Sequence, residues 1–136
     1  MRQPPWRTSR RIQPALMNDT GPGRPGDVLL VDWRERSADG EANKLRPAVV
    51  VGRSDLSVYS DTLLLVPLTS KSDHVIAELT VTFAPSESNG LVVRSYALAH
   101  LITGTAKRRL IRRLGRVAPH ELASLRDVVT ACFHDD

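Results

Sequence analysis

Residues 47–68 read PAVVVGRSDLSVYSDTLLLVPL, two apolar runs (47–53 and 62–68) parted by a polar loop that holds Ser54 and Asp55. Each run is short, rich in Val or Leu and bounded by turn-forming residues, the pattern of a buried strand rather than of a helix of ten or more residues. Pro67 has no N–H to give to a ladder, so it predicts a sheet edge or a bulge just before Thr69 and Ser70. Upstream, Arg24-Pro25-Gly26-Asp27 is a turn feeding a strand over 28–33, followed by a polar loop over 34–45 that contains Gly40. Downstream, 75–83 alternates loosely as a strand, 86–90 is turn-like and 91–101 is a further strand. Periodicity leaves 110–117 open between a strand and a basic helix. Pro119 suits the first position of a helix, and Leu122, Leu125, Val129 and Cys132 then form one apolar stripe. Ala118 is a poor cap, so the start of that helix is expected to fray. Five or six short strands, one closing helix, no βαβ alternation and no repeat predict an α+β, mainly β fold: a small antiparallel barrel with a C-terminal helix.

The 136 residues suit one domain, and 41% hydrophobic against 25% charged residues excludes a disordered chain. No apolar run approaches the ~20 residues of a membrane helix. Residues 1–20 have no continuous apolar core, which argues against a secretory signal; their arginines fit an organelle transit peptide only loosely. The single cysteine, Cys132, excludes an internal disulfide and a multi-cysteine zinc site and suits a reducing compartment. Residues 1–23 mix prolines, glycines and arginines without periodicity and are expected to be a flexible basic tail, with Met17 an alternative start; 24–136 is the domain.

Charge is uneven. The formal +4 sits in residues 1–24, where Arg2, Arg7, Arg10, Arg11 and Arg24 face only Asp19, and the remainder is balanced. Within the remainder, Arg94, Lys107, Arg108, Arg109, Arg112, Arg113 and Arg116 follow one another without an acid. Such a segment attracts polyanions by releasing condensed counterions, or is merely a solvated face. The cluster 107–116 is the candidate for holding nucleic-acid phosphates.

Phosphate-loop, His-Glu-x-x-His and Gly-x-Ser-x-Gly patterns are missing, and His74, His100, His120 and His134 are too dispersed to announce a metal site. His120 and His134 are expected at the surface. Two features stand out. Arg46 is held extended by Pro47 where a loop meets a buried strand, a suitable place for a fixed guanidinium. Val66-Pro67-Leu68-Thr69-Ser70 ends a strand in two hydroxyls. Each also has an ordinary account, Arg46 as the ion-pair partner of Glu41 and Thr69 as a turn residue.

Together with other blocks they form an ordered series: Arg24-Pro25-Gly26-Asp27-Val28, Gly40-Glu41-x-x-Lys44-x-Arg46-Pro47, Val66-Pro67-Leu68-Thr69-Ser70, Ser95-Tyr96-Ala97-Leu98-Ala99-His100, Arg109-Leu110 and Leu114-Gly115-Arg116-Val117. In order and over residues 24 to about 133, this series resembles the MazF/PemK/Kid toxins. The resemblance implies an SH3-like barrel of the CcdB/Kid type, a homodimer and a cytoplasmic, sequence-specific endoribonuclease of single-stranded RNA inhibited by a cognate antitoxin. It further implies cleavage without metal or other cofactor, in which the ribose 2′-OH attacks the adjacent phosphate to leave 2′,3′-cyclic phosphate and 5′-OH ends. Arg46 and Thr69 are then the catalytic pair. Glu41, Lys44, Ser70, Lys71, Lys107, Arg108, Arg109 and Arg112 are the expected RNA contacts.

Two positions depart from the Kid-type pattern: His100 replaces an acid in the later strand, and Gly40 replaces a histidine before Glu41. An imidazole is the side chain suited to proton transfer near neutral pH, which makes a neutral His100 a candidate acceptor for the 2′-OH proton; its alternative role is to pack at the barrel rim. Trp6 among the tail arginines is a candidate for stacking on a base. Two other functions compete. CcdB-type gyrase poisons share the fold, but they carry a C-terminal Trp-Gly-Ile where this sequence ends Cys132-Phe133-His134-Asp135-Asp136. The other is a non-catalytic barrel that binds nucleic acid or protein.

Overall fold

A computed structural model describes residues 23–33, 45–73 and 75–135. The described elements are β1 (Asp27–Asp32), β2 (Leu45–Val50), the short helix α1 (Leu56–Tyr59), β3 (Thr62–Thr69), β4 (Thr80–Phe83), β5 (Ser95–Leu98), β6 (Thr103–Ala106), β7 (Leu110–Arg116) and α2 (Pro119–Ala131). Every pairing is antiparallel, in the order β4-β5-β3-β2-β1-β7, with β6 also laid along β3. Among the described residues β7 pairs only with β1, so the expected barrel is open: a curled sheet without a closing ladder.

The continuous apolar runs are explained by burial on two faces. Alternate residues of the central strands enter opposite clusters. Val28, Val49, Val66 and Leu68 join one; Leu29, Val31, Ala48, Val50, Leu63 and Leu65 join the other. The first cluster is closed by α2, whose Leu122, Leu125, Val129 and Cys132 face it as the stripe requires. Arg126 fixes the helix to the sheet, donating from Nε to the Val51 carbonyl at 2.9 Å. The start of α2 is better anchored than Ala118 suggests, because Oε1 of Glu121 accepts the Ala118 N–H at 2.8 Å, half of a capping box.

The ambiguous 110–117 stretch is a strand; Leu110, wholly buried in the second cluster, gives it an inward face that a solvated basic helix would lack. Two expected strands are shorter than predicted. Residues 75–83 contain a 3₁₀ turn, Ala77–Leu79, before β4, and 91–101 contribute only β5 before a second turn, Ala99–Leu101. Both the β6 strand and α1 escape a periodicity reading, since four residues are too few to show one. Of the expected tail only Gly23 is described, and it is buried; residues 1–22, with Trp6, lie outside the described residues.

The Arg24-Pro25-Gly26-Asp27 turn is locked by charge. The Asp27 carboxylate is wholly buried, with Arg116 at 2.7 Å and Arg113 at 3.5 Å. Burial nevertheless outweighs the charges of Arg116, Arg113 and Arg24 and the Arg24 backbone N–H, and raises the Asp27 pKa from the usual 3.8. A group that binds its proton more tightly when folded stabilises the fold most below its unfolded pKa and loses that contribution as pH rises through the folded value. Asp27→Asn is therefore expected to gain on the wild type as urea denaturation is repeated upward from about pH 4. A difference that stays flat or runs the other way would show that the arginines outweigh burial.

Candidate functional site

The site is built where β2 and β3 part company. Their ladder runs Val50↔Leu65, Val49↔Val66, Ala48↔Pro67 and stops there. Continued by two residues, the same register would set Arg46 opposite Thr69. Pro67 cannot donate to a ladder, and beyond it β3 takes β5 as its partner instead, pairing Leu68↔Ala97 and Thr69↔Tyr96. The edge predicted at Pro67 is this exchange of partners. It opens a cavity of about 420 Å³ with Arg46 and Thr69 both in its lining.

The floor and sides are apolar, supplied mainly by Leu30, Leu68, Leu91 and Leu114; the polar part comes from Ser70, Lys71, Ser95 and Arg112 besides Arg46 and Thr69. Three cations and no acid stand among the described lining residues. The Thr69 hydroxyl oxygen accepts the Lys71 backbone N–H at 3.1 Å, so its own proton stays available to an incoming acceptor. Arg46 is half-buried on a strand whose backbone pairs with Val31 of β1.

One wall depends on the turn expected over 86–90, whose part in the site the sequence did not indicate. Asn89 is buried, and its Oδ1 accepts the N–H groups of Ser86 (3.0 Å) and Leu91 (2.9 Å) while Nδ2 donates to the Ala84 carbonyl at 2.9 Å. Gly90 follows at φ 73°, and the Arg116 N–H donates to the Ser88 carbonyl at 2.8 Å, docking the turn on β7. Gly90 and Leu91 of the cavity wall are held by this brace. The Asn89-Gly90 dipeptide was the available signal, being a turn pair in which Gly accepts a positive φ.

The basic segment is divided among separate tasks. Arg112, paired with Leu30, reaches the cavity. Arg113 and Arg116 neutralise Asp27. Lys107 donates from Nζ to the Ser57 carbonyl and its backbone N–H bonds the Asp61 carbonyl at 2.7 Å. Neither Lys107 nor Arg108 nor Arg109 lines the cavity, and of the expected phosphate contacts within 107–116 only Arg112 is brought to it.

His100 stands apart as well. It lies on the Ala99–Leu101 turn, which leaves β5 at the end opposite Ser95, the one residue of β5 that lines the cavity. Nδ1 of His100 is buried without a hydrogen-bond partner. The expectation that its imidazole takes a proton from a ligand between Arg46 and Thr69 has no geometric support within this chain, because the strand separates the two places. Glu41, Lys44, Gly40 and His74 lie outside the described residues. His120 and His134 are exposed, as expected. No group of three or more His, Cys, Asp or Glu side chains able to hold a metal occurs among the described residues.

Comparison with known proteins gives the family and the fold. Residues 24–133 match the family described as PemK-like, MazF-like toxin of type II toxin-antitoxin system. The Endoribonuclease MazF9 of Mycobacterium tuberculosis is 35% identical over 107 residues, covering 75% of this chain and 88% of that protein. Among solved structures, the Mycobacterium tuberculosis toxin MazF-mt6 superposes with a TM-score of 0.62 at 17% identity, over 81% of this chain and 96% of that one. A chain of the MazE-MazF structure from Deinococcus radiodurans gives 0.60 at 19% identity, over 85% and 97%. At such identities the structural likeness establishes the fold.

Proposed function

Because the chain belongs to the PemK-like, MazF-like family of type II toxins, we propose that it is an endoribonuclease whose cavity between β2 and β3 cuts single-stranded RNA. The observation that carries this assignment is the convergence of Arg46 and Thr69, from different strands, on one cation-lined cavity without a described acid.

The ribose 2′-OH loses its proton to water as its oxygen bonds the phosphorus of the next linkage; the bond to the 5′ oxygen breaks and that oxygen takes a proton from water, leaving a 2′,3′-cyclic phosphate and a 5′-OH. The nucleophile belongs to the substrate, so the protein has to stabilise added negative charge on the phosphorane and needs no metal for attack. Arg46 braces two phosphate oxygens with its planar fork, and Thr69 donates its remaining proton to the same group. Arg46 is not the base, since a guanidinium offers N–H donors and no acceptor. Lys71 and Arg112, both in the lining, hold flanking phosphates, with Ser70 beside Lys71. His100 takes no part in this scheme. RNA, a cognate antitoxin and a second copy of the chain are the partners the assignment entails, and the cytoplasm is the compartment where it acts. No helix among the described residues is long and apolar enough to cross a membrane.

Incubation of the protein with a long RNA in EDTA, followed by mapping of both ends, is the test. Cuts at a fixed sequence with cyclic-phosphate and 5′-OH ends are expected, and DNA supercoiling by gyrase is expected to be unaffected. Intact RNA, or cutting that requires a divalent cation, would overturn the assignment.

A further inference from the structure

The two hydroxyls nearest the ends of β3 and β5 are committed in opposite senses. Thr69 Oγ1 receives a backbone N–H and keeps its proton to give. Ser95 does the reverse: its Oγ lies 3.0 Å from the Val93 carbonyl, and since a carbonyl cannot donate, the Ser95 proton is spent there. What Ser95 has left is lone pairs. Only 3% of Ser95 is exposed, and the alternation of β5 turns its side chain to the face of Ala97, which packs with Leu68 and Leu91 of the cavity. A fixed acceptor therefore sits within an otherwise apolar lining of Leu30, Leu68, Leu91 and Leu114, while the cations lie at Arg46, Lys71 and Arg112. A cavity of about 420 Å³ with apolar walls and few polar groups is of the size and kind that takes one flat aromatic ligand.

Resting on the proposed nuclease assignment, we infer that Ser95 selects a nucleobase bearing an exocyclic amino group in the nucleotide next to the scissile phosphate, and so excludes uridine from one of the two flanking positions. An amino group donates to the Ser95 lone pair. A keto oxygen in the same place meets a lone pair with a lone pair for as long as the Ser95 proton stays on the Val93 carbonyl. Leaving such buried groups unpaired costs enough to discriminate by about tenfold or more. Apolar walls alone would separate bases of similar size far less.

The test uses the full chain and short RNAs carrying one mapped cut site. First, cut sites mapped on a long RNA are expected to lack uridine at one flanking position. Next, the amino base found there is replaced in synthetic substrates by its oxo counterpart: cytidine by uridine, adenosine by inosine, or guanosine by xanthosine. A fall in kcat/KM of about tenfold or more is expected with the unaltered protein, whatever any variant does to folding. Ser95→Ala is then expected to bring the amino and oxo substrates to within about twofold of each other. Uridine found freely at both flanking positions, or equal rates on the paired substrates with the wild type, would overturn the inference while leaving the nuclease assignment intact. Discrimination that persists unchanged in a folded Ser95→Ala protein would also overturn it. RNA left uncut under every condition overturns both.

Discussion

Arg46→Ala is expected to slow RNA cleavage by about 10²–10³-fold at saturating substrate while leaving the thermal unfolding curve close to that of the wild type. Electrostatic groups aimed at charge that develops only in the transition state lower kcat more than they raise KM. Arg46 is half-buried at the first residues of β2, and its backbone pairing with Val31 survives loss of the side chain, so the strand is retained. Arg46→Lys is expected to recover only part of the rate, since an ammonium supplies a point charge where the guanidinium supplies a fork. His100→Ala is the matched control. The Ala99–Leu101 turn lies beyond the cavity's lining, so its removal is expected to leave the pH profile of cleavage unaltered. Single-turnover kinetics across pH 5–9 read both variants. An Arg46→Ala protein within a few-fold of the wild-type rate would remove the basis of the proposed mechanism, and a shifted pH profile in His100→Ala would bring the imidazole back into it.

The largest loss of stability is expected at Gly90, outside the chemistry. At φ 73° a side chain is strained by about 1–2 kcal/mol. An added Cβ would also lie 2.1 Å from the Leu114 carbonyl oxygen, which is backbone and cannot rotate away. Strain and displacement together should cost about 3 kcal/mol, enough to lower Tm by more than 10 °C in a domain of this size. The facing residue is equally intolerant, since a Cβ on Gly115 would meet the Ser88 carbonyl oxygen at 2.3 Å. Because the Gly90 turn carries one wall of the cavity, Gly90→Ala is expected to reduce cleavage as well, even at temperatures where the protein is folded. A Tm within a few degrees of the wild type would show that β7 and the turn can slide apart at little cost.

What the sequence determined by itself was local. The Val and Leu runs marked β1, β2 and β3, because strands buried on two faces leave no polar positions to interrupt them. Pro67 marked the end of a ladder from covalent structure alone, and the stripe from Leu122 to Cys132 marked the helix that closes the first cluster. Four-residue strands such as β6 left no such trace, and turns rather than strands filled much of 75–83 and 91–101.

Tertiary structure alone decided which of several like residues meets the cavity. Arg112, Arg113 and Arg116 are chemically identical, and their assignment depends on the register of β7 against β1, which is broken twice by bulges. Arg112 falls beside Leu30 and enters the cavity; Arg113 and Arg116 fall to Asp27. The same holds for His100, set apart by a turn that follows β5, and for Gly90, whose demand for a bare backbone comes from β7, far away along the chain. Periodicity records what a residue needs from its immediate neighbours. Which distant surface it faces is set by how the strands pack and shift against one another, and no spacing along the chain encodes that.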